Sequence, residues 1–296
     1  MNKHQRMEQK GILNYTKLPL KEFGDQWDKI FITPEVKERL LAQAILEFRL
    51  RGTVSQSSVP LHGVMLLVGP PGTGKTSLAR GLANRVAESL DGADFHFIEV
   101  EPHALVSSAL GRSQQAVREL LQTTIPECAE QGPLIVLLDE VETLAADRRR
   151  LSLEANPIDV HRATDAVLAS LDHLAAKYPG LLFIATSNFK EAVDEALISR
   201  ADLIEVIEKP DKEACRAILV DTLSALAEKA PKLGRLLGSK DFDKAVTESV
   251  GLDGRELRKA VIGAFTFSKE VALDLERIRV EDLVRSIQDK KATKTI

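Results

Sequence analysis

An ammonium group, two hydroxyls and three glycines fall within eight residues in Gly69-Pro70-Pro71-Gly72-Thr73-Gly74-Lys75-Thr76. This is the G-x-x-x-x-G-K-[ST] pattern, and the chemistry it serves is polyphosphate binding. Glycines let backbone N–H groups turn toward phosphate oxygens where side chains would block the approach. Thr76 and Ser77 open a helical run whose unpaired N–H groups and positive dipole end face the same anion. Lys75 would reach the β- and γ-phosphates, and the Thr76 hydroxyl would hold Mg²⁺. A second cluster follows: the apolar run 134–138 ends in Asp139-Glu140. Asp139 suits Mg²⁺, bound through water, and Glu140 suits activation of an attacking water. A third run, 181–186, ends in Thr186-Ser187-Asn188, where the Asn188 amide would hold that water against the γ-phosphate. Taken alone, the second cluster could be an ordinary strand end and the third an Asx turn; together with the first they describe an ATP site with Mg²⁺ as cofactor.

Such groups must be carried on elements that bring them together. Runs 64–68, 95–100, 134–138, 181–186 and 203–207 are short, and some are almost continuously apolar, as expected of parallel strands covered on both faces. Helical patterns at 76–89, 114–130, 160–177 and 191–199 alternate with them, which implies a doubly wound α/β domain. Thr33 and Pro34 begin a helix whose stripe is Val36, Leu40, Leu41, Ile45 and Phe48. After Pro210 the strands cease, and 212–228, 241–250, 255–274 and 280–288 read as helices of a second, all-helical domain. The expected organisation is therefore an N-terminal arm at 1–26, an α/β domain at 27–209, a helical domain at 210–289 and a disordered basic tail at 290–296.

Composition narrows the function. A net charge of −4 and the lack of a basic block argue against a dedicated nucleic-acid binder. No apolar run approaches the ~20 residues of a membrane span, no signal-peptide core is visible, and Cys128 and Cys215 are in no metal-ligand spacing. A cytoplasmic protein with structural cysteines is expected.

As a set, several segments resemble the AAA+ P-loop ATPases, and within them the pachytene-checkpoint type. They are residues 27–31, 69–78 and 138–144, then Arg162 with 166–168 and Leu171-Asp172, then 186–188, 199–203 and 251–259. The resemblance implies a five-stranded parallel sheet in the order 5-1-4-3-2, a helical lid, and a homo-hexameric ring with ATP between subunits. It implies an ATP-driven protein remodeller acting on a HORMA-domain protein or its complex with a nucleotidyltransferase; bacterial relatives accompany cyclic-oligonucleotide synthases in anti-phage systems. It also marks Arg200 as an arginine finger serving the neighbouring protomer, or, on the plainer reading, a surface arginine paired with Asp202. Arg255 matches the lid arginine, with Arg258 on the same helix as the alternative. Ile30 and Phe31 match adenine contacts, although such a pair also suits a core.

Two departures from the family stand out. About sixty residues precede the first expected strand, fewer than a separate adaptor-binding domain needs. The stretch 105–112, matching the first pore loop, has no aromatic residue, and 146–159, with Arg148, Arg149 and Arg150, is either a second pore loop or a solvated charged loop. The competing functions are a DNA-acting AAA+ protein, such as a clamp loader or initiator, and a nucleotide-dependent scaffold.

Overall fold

In the computed structural model, which describes residues 11–55, 58–90, 92–100, 117–143, 157–239 and 241–293, six strands form one sheet. They are β1 (Ile12–Lys17), β2 (Val64–Val68), β3 (His96–Val100), β4 (Leu134–Leu138), β5 (Leu181–Ser187) and β6 (Leu203–Val206). Their spatial order is β1-β3-β4-β5-β2-β6. Every residue of β2, β3, β4 and β5 is buried, which is why β2 and β4 read as unbroken apolar runs, while β3 carries the buried polar residues His96 and Glu99. Pairing among β2 to β6 is parallel, and β1 lies antiparallel on β3.

The expected five-stranded parallel sheet is thus corrected to a mixed sheet of six. The expected arm at 1–26 is likewise ordered from residue 11: β1 is followed by helix α1 (Lys21–Asp28). The signals are real but sparse. In β1 only Ile12 is fully buried, while Leu13 is 55% exposed, so the strand lacks an apolar run. In α1 the apolar face is Phe23 and Trp27, one helical turn apart. Phe23 meets Phe97 edge to face at 5.0 Å. Trp27 lies so near Gly81 that a Cβ there would be 2.6 Å from the Trp27 Cβ.

The chain forms two compact units, one of Met1–Asp28, Pro34–Gly69 and Lys75–Ile207, the other of Lys29–Thr33, Pro70–Gly74 and Glu208–Ile296. Helices α2 (Pro34–Leu50), α3 (Lys75–Ser89), α4 (Ile125–Ala129), α5 (Pro157–Lys177) and α6 (Glu195–Ile198) belong to the first. The expected helix at 114–130 is interrupted by a π-helical turn at Leu120–Thr124. Pro126 has no N–H for the Gln122 carbonyl and its ring would strike that carbonyl, so the backbone widens ahead of it. A core cluster on one face of the sheet includes Leu66, Ile98, Val136, Leu168 and Phe183.

The second unit holds helices α7 (Lys212–Ala227), α8 (Gly234–Leu237), α9 (Phe242–Ser249), α10 (Gly254–Ala264), α11 (Lys269–Leu273) and α12 (Val280–Thr293) around its own core of Leu219, Phe242, Leu257, Val261 and Ile287. The expected helix 255–274 is two helices, because the Ser268 side chain accepts from Val271 N–H and restarts the chain as α11. The tail is helical through Thr293 rather than disordered from 290, since Leu283, Val284 and Ile287 anchor α12. Both cysteines are buried, and burial pushes the Cys215 thiol up to about 11. Among the described residues no helix is long and apolar enough to cross a membrane.

One buried charge network ties α2 to the sheet. Arg51 donates to the backbone carbonyls of Leu181, Ala175 and Tyr178. One turn earlier Glu47 is 1% exposed, with Gln43 donating to one oxygen and the other oxygen unpartnered. Burial, followed by the nearby Asp202 carboxylate, pushes Glu47 up to about 7 from 4.5. An acid whose pKa rises on folding favours the folded state below its unfolded pKa and loses that contribution as pH climbs through the folded one. Stability should therefore fall between pH 4.5 and pH 7 by up to ~1.4 kcal/mol per pH unit from this group. Urea unfolding of wild type and Glu47→Gln at pH 5 and pH 8 tests this. The variant should be less sensitive to pH, and equal slopes for the two proteins would refute the assignment.

Candidate functional site

In the first unit, β2 delivers the chain to Gly69, where a Cβ would be 2.1 Å from the Ile207 carbonyl oxygen, so a larger residue is excluded. Helix α3 begins at Lys75, and Thr76 and Ser77 lie half-buried in its first turn. Lys75 is buried, and its Nζ donates to Gly69 O at 2.7 Å and to Asn188 Oδ1 at 3.1 Å. An ammonium group without bulk water needs such acceptors. They orient it along the turn.

At the end of β4, Asp139 Oδ1 accepts from Thr76 Oγ1 at 2.8 Å and from Thr186 Oγ1. This hydroxyl–carboxylate pair is a set of hard oxygen donors that suits Mg²⁺. Among the described residues no cluster of three or more His, Cys, Asp or Glu side chains could hold a metal alone. A cation held by this pair would take its remaining positions from phosphate and water.

Glu140 has φ +52°, a left-handed backbone adopted by no other described non-glycine residue. That conformation costs on the order of 1–2 kcal/mol. Its N–H donates to Thr186 Oγ1 at 3.1 Å, and its Oε1 accepts from Asn188 Nδ2 at 3.2 Å. Asn188 thereby links the ammonium of Lys75 to the carboxylate of Glu140. The Asn188 backbone N–H donates to Glu142 Oε1 at 3.1 Å, fixing the end of β5. The three sequence clusters meet here: cation, cation-binding oxygens, and a carboxylate beside an amide.

Arg200 lies just past α6 and pairs with Asp172 rather than Asp202. Its Nε and Nη2 donate to Asp172 Oδ1 and Oδ2, both at 2.7 Å, and its Nη1 donates to Ala196 O. Those bonds lower the Asp172 pKa and raise that of Arg200. His62 Nδ1 is 3.7 Å from the same carboxylate. Asp202, the expected partner, instead accepts from the backbone N–H groups of His62 and Val64, so the Arg200–Asp202 pairing is corrected. The guanidinium remains 24% exposed.

In the second unit, Gly72 and Gly74 have φ +83° and +90°. A side chain at Gly72 would strike the Asp253 carboxylate, and one at Gly74 would strike Ile30. Pro70, Pro71 and Thr73 complete this turn, with Thr73 Oγ1 donating to Pro70 O. Phe31 packs half-buried against the helical core. Asp253 caps α10 in a reciprocal box with Glu256. On that helix Arg255 is exposed, whereas Arg258 donates to Asp221 at 2.6 Å, Thr222 at 3.0 Å and the Lys29 carbonyl. The pore-loop stretch 105–112 lies outside the described residues, as do 146–156; nothing is described of the side chains at 157–166, which include Arg162.

Sequence reading alone passed over Thr186, Glu142 and Asp172 as working residues. The first two stand two residues from Asn188 and Glu140, but their hydrogen bonds cross between strand ends. Asp172 meets Arg200 across 28 residues, and no local pattern signals that pairing.

Residues 65–209 match the sequence model of the ATPase family associated with various cellular activities (AAA). The chain is 55% identical over 282 residues to CD-NTase-associated protein 6 of Pseudomonas aeruginosa, covering 95% of this chain and 93% of that one. It is 35% identical over 217 residues to the pachytene checkpoint protein 2 homolog of Arabidopsis thaliana, covering 72% of this chain and 46% of that protein, about half its length. The fold is similar to that of PCH-2 from C. elegans, with a TM-score of 0.75, 24% identity, and coverage of 96% and 76% of the two chains. It is also similar to a chain in the HORMA:CdnC:Trip13 complex of E. coli MS115-1, with a TM-score of 0.73, 18% identity, and coverage of 95% of both chains.

The geometry separates two arginines and isolates one lysine. Arg258→Ala should destabilise the protein by about 1 kcal/mol, because its ion pair is partly solvated, while Arg255→Ala leaves unfolding unchanged. Equal effects in thermal unfolding would contradict that contrast. Lys75→Ala should lower ATP affinity at least ~100-fold in calorimetric titration, since a buried charge-assisted contact to phosphate is lost; wild-type affinity would refute the phosphate-site assignment.

Proposed function

Because the chain belongs to the AAA family of ATPases and is related to the pachytene-checkpoint remodellers, we propose that it is an ATP-driven ring that remodels a HORMA-domain protein. The observation that carries the catalytic half is the chain of contacts Lys75–Asn188–Glu140 beside the Thr76–Asp139 pair. The relatives support the client: CD-NTase-associated protein 6 is similar over nearly its whole length, and the E. coli complex of like fold contains a HORMA protein and CdnC. The client is then a HORMA protein or its complex with a nucleotidyltransferase, and the role is restraint of an anti-phage signalling system.

In this reading Lys75 exchanges its Gly69 and Asn188 acceptors for β- and γ-phosphate oxygens. Thr76 and Asp139 hold Mg²⁺, which when bound neutralises phosphate charge as a Lewis acid. The Asn188 amide orients a water, and a Glu140 carboxylate oxygen takes its proton as the water attacks the γ-phosphorus and the bond from that phosphorus to the β,γ-bridging oxygen breaks, releasing ADP and phosphate. Arg200 acts on the γ-phosphate bound by the neighbouring protomer, which requires it to leave Asp172. It spreads positive charge over the transferring group, a contribution on the order of 10³–10⁵ in rate. Arg255, exposed on its helix, reports nucleotide state to the lid, while Arg258 serves the lid's own packing. Ile30 and Phe31 flank the adenine. The protomers form a hexamer.

Glu140→Gln should bind ATP, lose turnover and retain the client, so co-purification of the trap with a HORMA protein is the expected outcome. Turnover at the wild-type rate would remove Glu140 from the base role. Arg200→Ala subunits doped into wild-type rings should depress activity by more than their fraction; strictly proportional loss would indicate that Arg200 does not act between protomers.

A further inference from the structure

We propose that Thr186 is a positioning residue for hydrolysis, its hydroxyl fixing the backbone of Glu140 and the carboxylate of Asp139 at once. The inference rests on the reading of Glu140 as the water-activating base. Thr186 is 1% exposed and pairs with Leu67 of β2, so its backbone is set by the centre of the sheet. Its β-branched side chain is stiff at χ1. A hydroxyl has one proton to give and lone pairs to receive. Here the proton goes to Asp139 Oδ1, and a lone pair receives the Glu140 N–H at 3.1 Å.

The second of these bonds selects an unfavourable backbone. Glu140 has φ +52°, where a side chain is strained, and its N–H points at Thr186 Oγ1 in that conformation. Relaxation of Glu140 to negative φ would rotate its Cα–Cβ bond and carry Oε1 away from Asn188 Nδ2, now 3.2 Å distant. The end of β5 therefore grips Glu140 twice, through Thr186 at the backbone and through Asn188 at the carboxylate. The same hydroxyl, with Thr76 Oγ1, holds Asp139 Oδ1 from two sides. Thr186 acts through the backbone of Glu140 and the carboxylate of Asp139.

Thr186→Val deletes the hydroxyl at nearly constant volume, and Thr186→Ser keeps it without the methyl. Steady-state ATP turnover should show kcat lowered roughly 10- to 100-fold in Thr186→Val, the scale of a displaced catalytic group. The KM for ATP should stay within about threefold of wild type, because the phosphate cradle keeps its own contacts and Thr76 still holds Asp139 Oδ1. Thr186→Ser should recover most of kcat. If Val perturbs folding, as thermal unfolding will reveal, Thr186→Ala deletes the same hydroxyl without apolar bulk and takes its place. Combined with Glu140→Gln, the Thr186 substitution should cause no further loss, since both act on one event. A Thr186→Val kcat within twofold of wild type beside an inactive Glu140→Gln would overturn the inference alone, as would failure of Ser to restore turnover. A fully active Glu140→Gln would instead overturn the base assignment on which it rests.

Discussion

The ammonium of Lys75 is the group around which the first unit's site is organised. A cation removed from water must find acceptors or lose its charge. Lys75 finds one at the carbonyl of Gly69 and one at Asn188, which tie the start of α3 to the ends of β2 and β5. Those two strands are parallel neighbours, paired from Val64–Phe183 to Val68–Ser187. The sheet register thus sets how far the Asn188 side chain stands from the lysine. A slip of one residue would turn Asn188 to the other face and leave the ammonium with one fewer acceptor.

From that anchor the carboxylates follow. Asn188 presents its oxygen to Lys75 and its nitrogen to Glu140, so one amide fixes a cation and an anion at a set separation. Glu140 reaches that position only through a left-handed backbone, and folded structures retain such strain where the surroundings over-determine it. Here the surroundings are visible: Thr186 at its N–H and Asn188 at its carboxylate. β5 is therefore the positioning strand of the site, although most of its length reads as plain core.

This division explains what could be read in advance. β2, β4 and β5 were legible because strands covered on both faces must be apolar throughout, and the phosphate-site residues because their spacing is local. β1 was not legible: an edge strand needs only one face, and in it only Ile12 is fully buried. Gly81 carried a trace of α1, since a glycine inside a helix often marks a close neighbour, yet nothing in the sequence named Trp27 as that neighbour. The π-helical turn before Pro126 and the break at Ser268 were local signals that the longer apolar period obscured. Arg200 shows the limit most clearly. Asp202 is two residues away and of opposite charge, but its oxygens satisfy the N–H groups entering β2, and the arginine turns to Asp172.

That last exchange has an energetic consequence for any role of Arg200 between protomers. A bidentate pair of this kind is charge-assisted, yet Arg200 is 24% and Asp172 44% exposed, so solvent screens much of the attraction. A partly solvated pair contributes little net stability, and its guanidinium can be given up to a more concentrated negative charge at small cost. Lys75 differs, being buried with short bonds on two sides. The two cations are therefore held in unlike ways. The lysine is fixed by burial, while the arginine is orientated by a partly solvated contact. An intersubunit finger needs such a balance, because a guanidinium held as firmly as Lys75 could not answer to a neighbour, and one held by nothing would lose its direction to solvent.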